Sequence, residues 1–187
     1  SGGNYNVVVG DNAGTALTTG DGNVAFGYSS LLVEDTGQYS TALGYETLAN
    51  QNNNAANYNT AIGASAGRAV TTGTSNTFVG GLAGDATTTG ASNTTLGYNS
   101  LGANTTASNN TALGSFALAL NTTGANNTAV GHISLQANTT GAQNTAVGRN
   151  SLAANTSAIN STAVGHSALA ANTTGANNTA VGKDALV

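Results

Sequence analysis

The chain of 187 residues has no cysteine, proline, methionine or tryptophan, and only 5% of it is charged. Without cysteine there is no disulfide, thiolate zinc site or cysteine nucleophile. Without proline every residue keeps a backbone N–H to donate, as a sheet ladder requires. Three Lys and Arg against seven Asp and Glu leave a net charge of −4. That balance predicts no nucleic-acid interface and no attraction to anionic membranes. No apolar run is long enough to cross a membrane as a helix, and the start does not read as a signal peptide.

What the chain does have is glycine at a fixed period. Gly10, Gly27, Gly44, Gly63, Gly80, Gly97, Gly114, Gly131, Gly148, Gly165 and Gly182 are spaced by 17 residues, except for one interval of 19 after Gly44. Each follows a bulky apolar residue: Val9, Phe26, Leu43, Ile62, Val79, Leu96, Leu113, Val130, Val147, Val164 and Val181. The full unit reads Asn-Thr-Ala-Val-Gly-x-x-Ser/Ala-Leu-x-Ala-Asn-Thr-Thr-Gly-Ala-Asn, nearly complete over residues 127–143. Self-similarity at one period predicts stacked identical units across a single domain, 1–187. Seventeen residues are too few for the helix pairs of other repeat arrays. They suit one coil of a parallel β-solenoid, with two or three short strands joined by Asn- and Gly-rich corners. About eleven coils predict a rod roughly 50 Å long.

Alternation within Thr128-Ala129-Val130-Gly131 puts Thr and Val on one side and Ala and Gly on the other. A second apolar column, four residues after the glycine, holds Leu31, Leu48, Leu101, Leu118, Leu135, Leu152, Leu169 and Leu186, but Gly14, Gly67 and Gly84 in three copies. Two bulky side chains per coil make a thin core against the entropy of ordering 17 residues. Association through a small-residue face would offset that deficit, so Ala112, Ala129, Ala146, Ala163 and Ala180 are expected to pack between chains of an oligomer.

The two halves differ. Copies in 92–187 are regular, while those in 1–91 diverge and carry most of the acidic residues. All six tyrosines lie before residue 100. Tyr28, Tyr39, Tyr45, Tyr58 and Tyr98 are therefore the candidate contact residues, because tyrosine is favoured at binding surfaces. The extra two residues fall in 50–57, read as a bulge in a surface corner. The last copy is as regular as the middle ones, which suits a longer fibre or stacking of ends into a filament.

The run Asn160-Ser161-Thr162-Ala163-Val164-Gly165, with Ser134 and Ser151 three residues after their glycines, resembles the Asn-Ser-Val-Ala-Ile-Gly-x-x-Ser motif. That motif belongs to the heads of YadA-type trimeric autotransporter adhesins, and similar runs occur in phage tail-fibre shafts. The resemblance covers essentially the whole chain, with a longer unit and an added Leu and Asn-Thr-Thr-Gly corner. It implies a left-handed β-roll, three chains side by side, and a place on a bacterial surface or virion. The implied partners are the chain itself, as homotrimer or filament, and a host receptor or glycan.

Chemistry finds little support. His132 and His166 occupy the position after the motif glycine, which elsewhere holds Tyr28, Tyr45, Tyr98, Arg149 or Lys183. A column so varied reads as a solvent-facing stripe, so no catalytic residue, cofactor or metal is assigned. Glu34 and Asp35, with Asp21 and Glu46, are the only acidic grouping near a calcium donor set, and are read instead as a hydrated corner. Asn104, Asn121, Asn138 and Asn172 fit the N-glycosylation pattern, as do Asn109, Asn126 and Asn177, but stacked Asn side chains bonded along the rod explain them better. An ice-binding solenoid with threonine ranks at Thr122-Thr123, Thr139-Thr140 and Thr173-Thr174 is the alternative to an adhesive fibre shaft, and a self-assembling filament subunit is a third.

Overall fold

A computed structural model describes residues 2–187. Each copy of the unit forms one coil with a three-residue strand: β1 (Val7–Val9), β2 (Val24–Phe26), β3 (Thr41–Leu43), β4 (Thr60–Ile62), β5 (Thr77–Val79), β6 (Thr94–Leu96), β7 (Thr111–Leu113), β8 (Thr128–Val130), β9 (Thr145–Val147), β10 (Thr162–Val164) and β11 (Thr179–Val181). The strands form one parallel sheet in chain order, a β-solenoid with no helix among the described residues. Register is strict: Thr128 pairs with Thr145, Ala129 with Ala146 and Val130 with Val147. The two extra residues leave it unchanged, since Thr41 still pairs with Thr60.

Each coil has one strand, not the two or three expected. The remainder turns through left-handed backbone positions that no strand can contain. In a regular coil these are Asn126 (φ 60°), Ile133 (φ 62°) and Leu135 (φ 50°). A bulky Leu there is a strained choice, at a cost of order 1 kcal/mol or more. Complete burial offsets it: Leu135 and Leu152 are fully buried, worth about 1.5–3 kcal/mol each. Glycine at the same place in three copies relieves the strain and leaves a hole, which a larger neighbour fills. Val8 replaces the strand alanine where Gly14 replaces Leu, and a Cβ on Gly14 would lie 3.3 Å from Val8 Cγ2. Phe78 does the same beside Gly67 and Gly84; a Cβ on Gly67 would meet the Phe78 ring at 2.7 Å.

The motif glycine is required by close approach. Gly131 sits at φ 133°, and a Cβ there would lie 2.6 Å from the Gly148 carbonyl oxygen of the next coil. Coils therefore stack backbone on backbone at this corner.

The alanine column faces inward. Ala112, Ala129, Ala146 and Ala163 are fully buried within the single chain, and Ala180 nearly so, packed with Leu101, Leu118, Leu135, Leu152 and Leu169. This corrects their assignment as packing positions between chains: the small side is small because it lies over the leucines inside a narrow coil. Two asparagine ladders supply the remaining cohesion. Asn127 Oδ1 accepts the backbone N–H of Asn144 at 3.0 Å, while its Nδ2 donates to the Gly141 carbonyl at 2.8 Å. In the second ladder Asn138 Nδ2 donates to Asn121 Oδ1 and Asn155 Nδ2 to Asn138 Oδ1, both at 2.7 Å. Buried amides so paired stabilise the stack and make each coil a template for the next.

Candidate interaction surface

With alanine turned inward, the first and third residues of every strand face out. The third is the apolar residue before the motif glycine, so a bulky apolar rank runs along the outside of the rod. Val9, Phe26, Leu43, Ile62, Leu96 and Val181 are exposed, and Val79, Leu113, Val130, Val147 and Val164 half-buried. Beside it runs a threonine rank in register from Thr41 to Thr179. Alternation alone puts Thr and Val together. Which side is inside follows from the leucine column, which already occupies the interior and leaves room only for alanine opposite it.

Two columns flank this face. The position after the motif glycine holds Tyr28, Tyr45 and Tyr98, and the position five before it holds Tyr39 and Tyr58; all five are exposed. They stack as the coils do. Tyr28 and Tyr45 lie parallel with centroids 5.3 Å apart, and Tyr39 and Tyr58 at 5.4 Å. Tyr98 is isolated from these pairs and instead meets Phe116 edge-on, followed by His132. Four of the five predicted tyrosines thus come together along β2 to β4, framing Phe26, Leu43 and Ile62.

Beside Tyr28 the corner opens into a groove of about 340 Å³ whose lining includes Leu32, Glu46, Ala49, Asn50 and Arg68. Arg68 Nη1 stands 3.9 Å from Glu46 Oε2, too far for a hydrogen bond. The hydrogen bond to the Glu46 carboxylate, and then its charge, raise the Tyr45 phenol above the ordinary tyrosine range. Asp85 is also raised, by burial, against the opposing charge of Arg68. Sequence reasoning passed over Arg68 and Asn50. Their signal was local: Arg68 is the only cation before residue 100, and Asn50 opens the lengthened corner.

The acidic residues do not gather around a cation. Glu34 is buried in the second ladder's column, where Oε1 accepts Gly37 N–H at 2.8 Å and Oε2 accepts Gln51 Nε2 at 2.8 Å and Asn57 Nδ2 at 3.1 Å. This corrects the reading of Glu34 as part of a hydrated corner, whereas residues 52–56 of the lengthened corner lie exposed or half-buried at the surface, as expected. Gln51, one period after Glu34 in the same column, and Asn57, from the end of the lengthened corner, turn inward to clothe the carboxylate. Asp35 is bonded to Thr18, Asp21 to the Asn4 backbone N–H, and Glu46 faces Arg68. Among the described residues no three His, Asp or Glu side chains come together as a metal-binding group.

His132 and His166 both stand on the exposed column; His166 lies 3.3 Å from Arg149 and 3.6 Å from Asp184, with no serine hydroxyl bonded to either ring among the described residues. Asn104, Asn121 and Asn138 are buried in the ladder, which closes them to an oligosaccharide. Of the paired threonines, Thr122 and Thr139 are half-buried and give their hydroxyls to carbonyls one coil on, while Thr123, Thr140 and both Thr173 and Thr174 are exposed. Comparison with protein-family models, with curated proteins and with solved structures gave no match.

Proposed function

We propose that this chain is a segment of a fibre shaft on a bacterial surface or virion, built from several copies side by side, three by the motif's resemblance, and presenting the tyrosine-rich coils to a host. One observation carries the reading: an unbroken apolar rank along the outside of a rod that has already filled its own core. Exposed apolar surface of that extent marks an association surface. It is in register and flanked by threonine, so identical copies can meet along it. Mechanically, a stack tied by backbone ladders and two asparagine columns resists bending, which suits a spacer. No step of chemistry is needed.

Light scattering on the purified chain tests it. A mass three times the 18.0 kDa of one chain is the expected result. Val130→Asp with Val147→Asp should then give folded monomers, since both side chains lie on the outer rank. Folded wild-type monomers at high concentration would sink the reading.

The same face favours a second reading. The threonine rank from Thr41 to Thr179 is a hydroxyl array in register, one per coil, more continuous than the corner threonines first considered. If the chain is a monomer that depresses the freezing point of water below its melting point, the array binds ice.

A further inference from the structure

We infer that the groove beside Tyr28 is a binding site for a neutral sugar, recognised through a hydroxyl that bridges Glu46 and Arg68. The groove's volume, about 340 Å³, lies within the range of small-ligand sites. Its wall is mixed: Tyr28, Leu32 and Ala49 are apolar, while Glu46, Asn50 and Arg68 are polar. A pyranose has the same division, with C–H faces and a rim of hydroxyls.

The pair at its centre is held apart. At 3.9 Å the guanidinium and carboxylate are too distant to satisfy each other and close enough for one oxygen between them. A hydroxyl at ordinary hydrogen-bond distance from both, about 2.8 Å, donates to Glu46 Oε2 and accepts from Arg68 Nη1. Both partners are charged, so these bonds are of the stronger kind. Asn50, exposed at the groove's edge, offers a donor and an acceptor to a neighbouring hydroxyl. Charge selects against acidic sugars, because Asp85 lies near Arg68 as well as Glu46, and Arg68 is the only cation there.

The site rests on firm ground. Tyr28 is braced by the Tyr45 ring behind it, and Asn50 is tied to the next coil by its N–H to the Arg68 carbonyl at 3.2 Å. Every lining residue belongs to one chain, so the inference does not depend on association of copies, and a failed light-scattering test would leave it standing.

Saturation-transfer NMR with methyl glycosides of glucose, galactose and mannose, and with sialyllactose, tests it at about 10 mM sugar, the range of single-sugar affinities. At least one neutral glycoside should receive saturation. Arg68→Gln and Glu46→Gln should each weaken its binding by about tenfold, as expected for losing a charged hydrogen-bond partner. His132→Ala, far along the rod, should leave it unchanged. Silence from all three neutral glycosides overturns the inference, as does signal from sialyllactose alone. Equal binding by both groove variants, with unchanged far-UV dichroism, overturns it too.

Discussion

The divergent coils before residue 92 and the regular coils after it share a backbone but solve the interior differently. In the regular half each coil repeats Ala, Leu and Asn in fixed places, and the core is one stretch from Leu101 to Ala180. In the divergent half the same places trade size. Val8 accompanies Gly14, Phe78 fills the space left by Gly67 and Gly84, and Glu34 with Gln51 and Asn57 replaces an asparagine ladder. The apolar core there is a separate stretch from Ala13 to Ala83. The break falls at β6, where Thr95 takes the alanine place and its buried hydroxyl has no hydrogen-bond partner. A solenoid coil thus conserves the volume between its neighbours and leaves open which column supplies it. The outside diverges for another reason, since residues there answer to partners and not to packing.

The largest test exchanges one solution for the other. Phe78→Ala should cost about 3–5 kcal/mol, the usual cost of emptying a buried phenylalanine site. Gly84→Leu alone should also destabilise, by collision with the Phe78 ring. Together they rebuild the regular Ala and Leu pair in that coil, and should recover much of the loss in denaturant titrations. Simple addition of the two losses would show that the columns do not exchange volume.

Next comes the feature the halves share. Gly63→Ala and Gly131→Ala should each cost roughly 3 kcal/mol, because a Cβ would meet the next coil's glycine at 2.7 and 2.6 Å at positive φ. Unequal losses at Gly63 and Gly131 would mean that the halves differ in backbone stacking as well.

A smaller effect is expected at the boundary. Thr95→Val keeps the shape and removes the unpartnered hydroxyl, and should stabilise by about 1 kcal/mol. A loss would show that the hydroxyl is satisfied in solution and that the break in the core is sound as it stands.

The smallest concerns pH. Burial raises the Asp85 carboxyl, so the folded chain holds that proton more tightly than the unfolded one. Its contribution is complete below the unfolded carboxylate range and is lost as pH rises through the folded value. Asp85→Asn should remove that part of the slope in melting temperature from acid to neutral pH. Steepening of the slope would reverse the assignment.

Much of this was legible in the residues. The period, the corner glycines and the stacked asparagines all follow from spacing and side-chain chemistry, because each repeats and any one copy tests the others. The acidic corner was not legible. Gln51 follows Glu34 in the ladder's column by one 17-residue period, but Asn57 comes from the lengthened corner, and only closure of the coil brings it to the carboxylate. The five tyrosines were rightly placed at the surface; that four of them frame one patch depends on the 17-residue register bringing successive coils together.

By itself, then, the sequence determined a parallel stack of eleven 17-residue coils with glycine at the tight corner. A residue that must sit against its own copy one coil away fixes the strand register, and the single 19-residue interval is taken up in a corner without disturbing it. Only the tertiary structure decided which face is interior. Ala and Val are both apolar, so hydropathy cannot separate the two sides of the strand. The leucine, held in a left-handed turn that forms only when the coil closes, fills the inside and sends the bulky rank out to the surface.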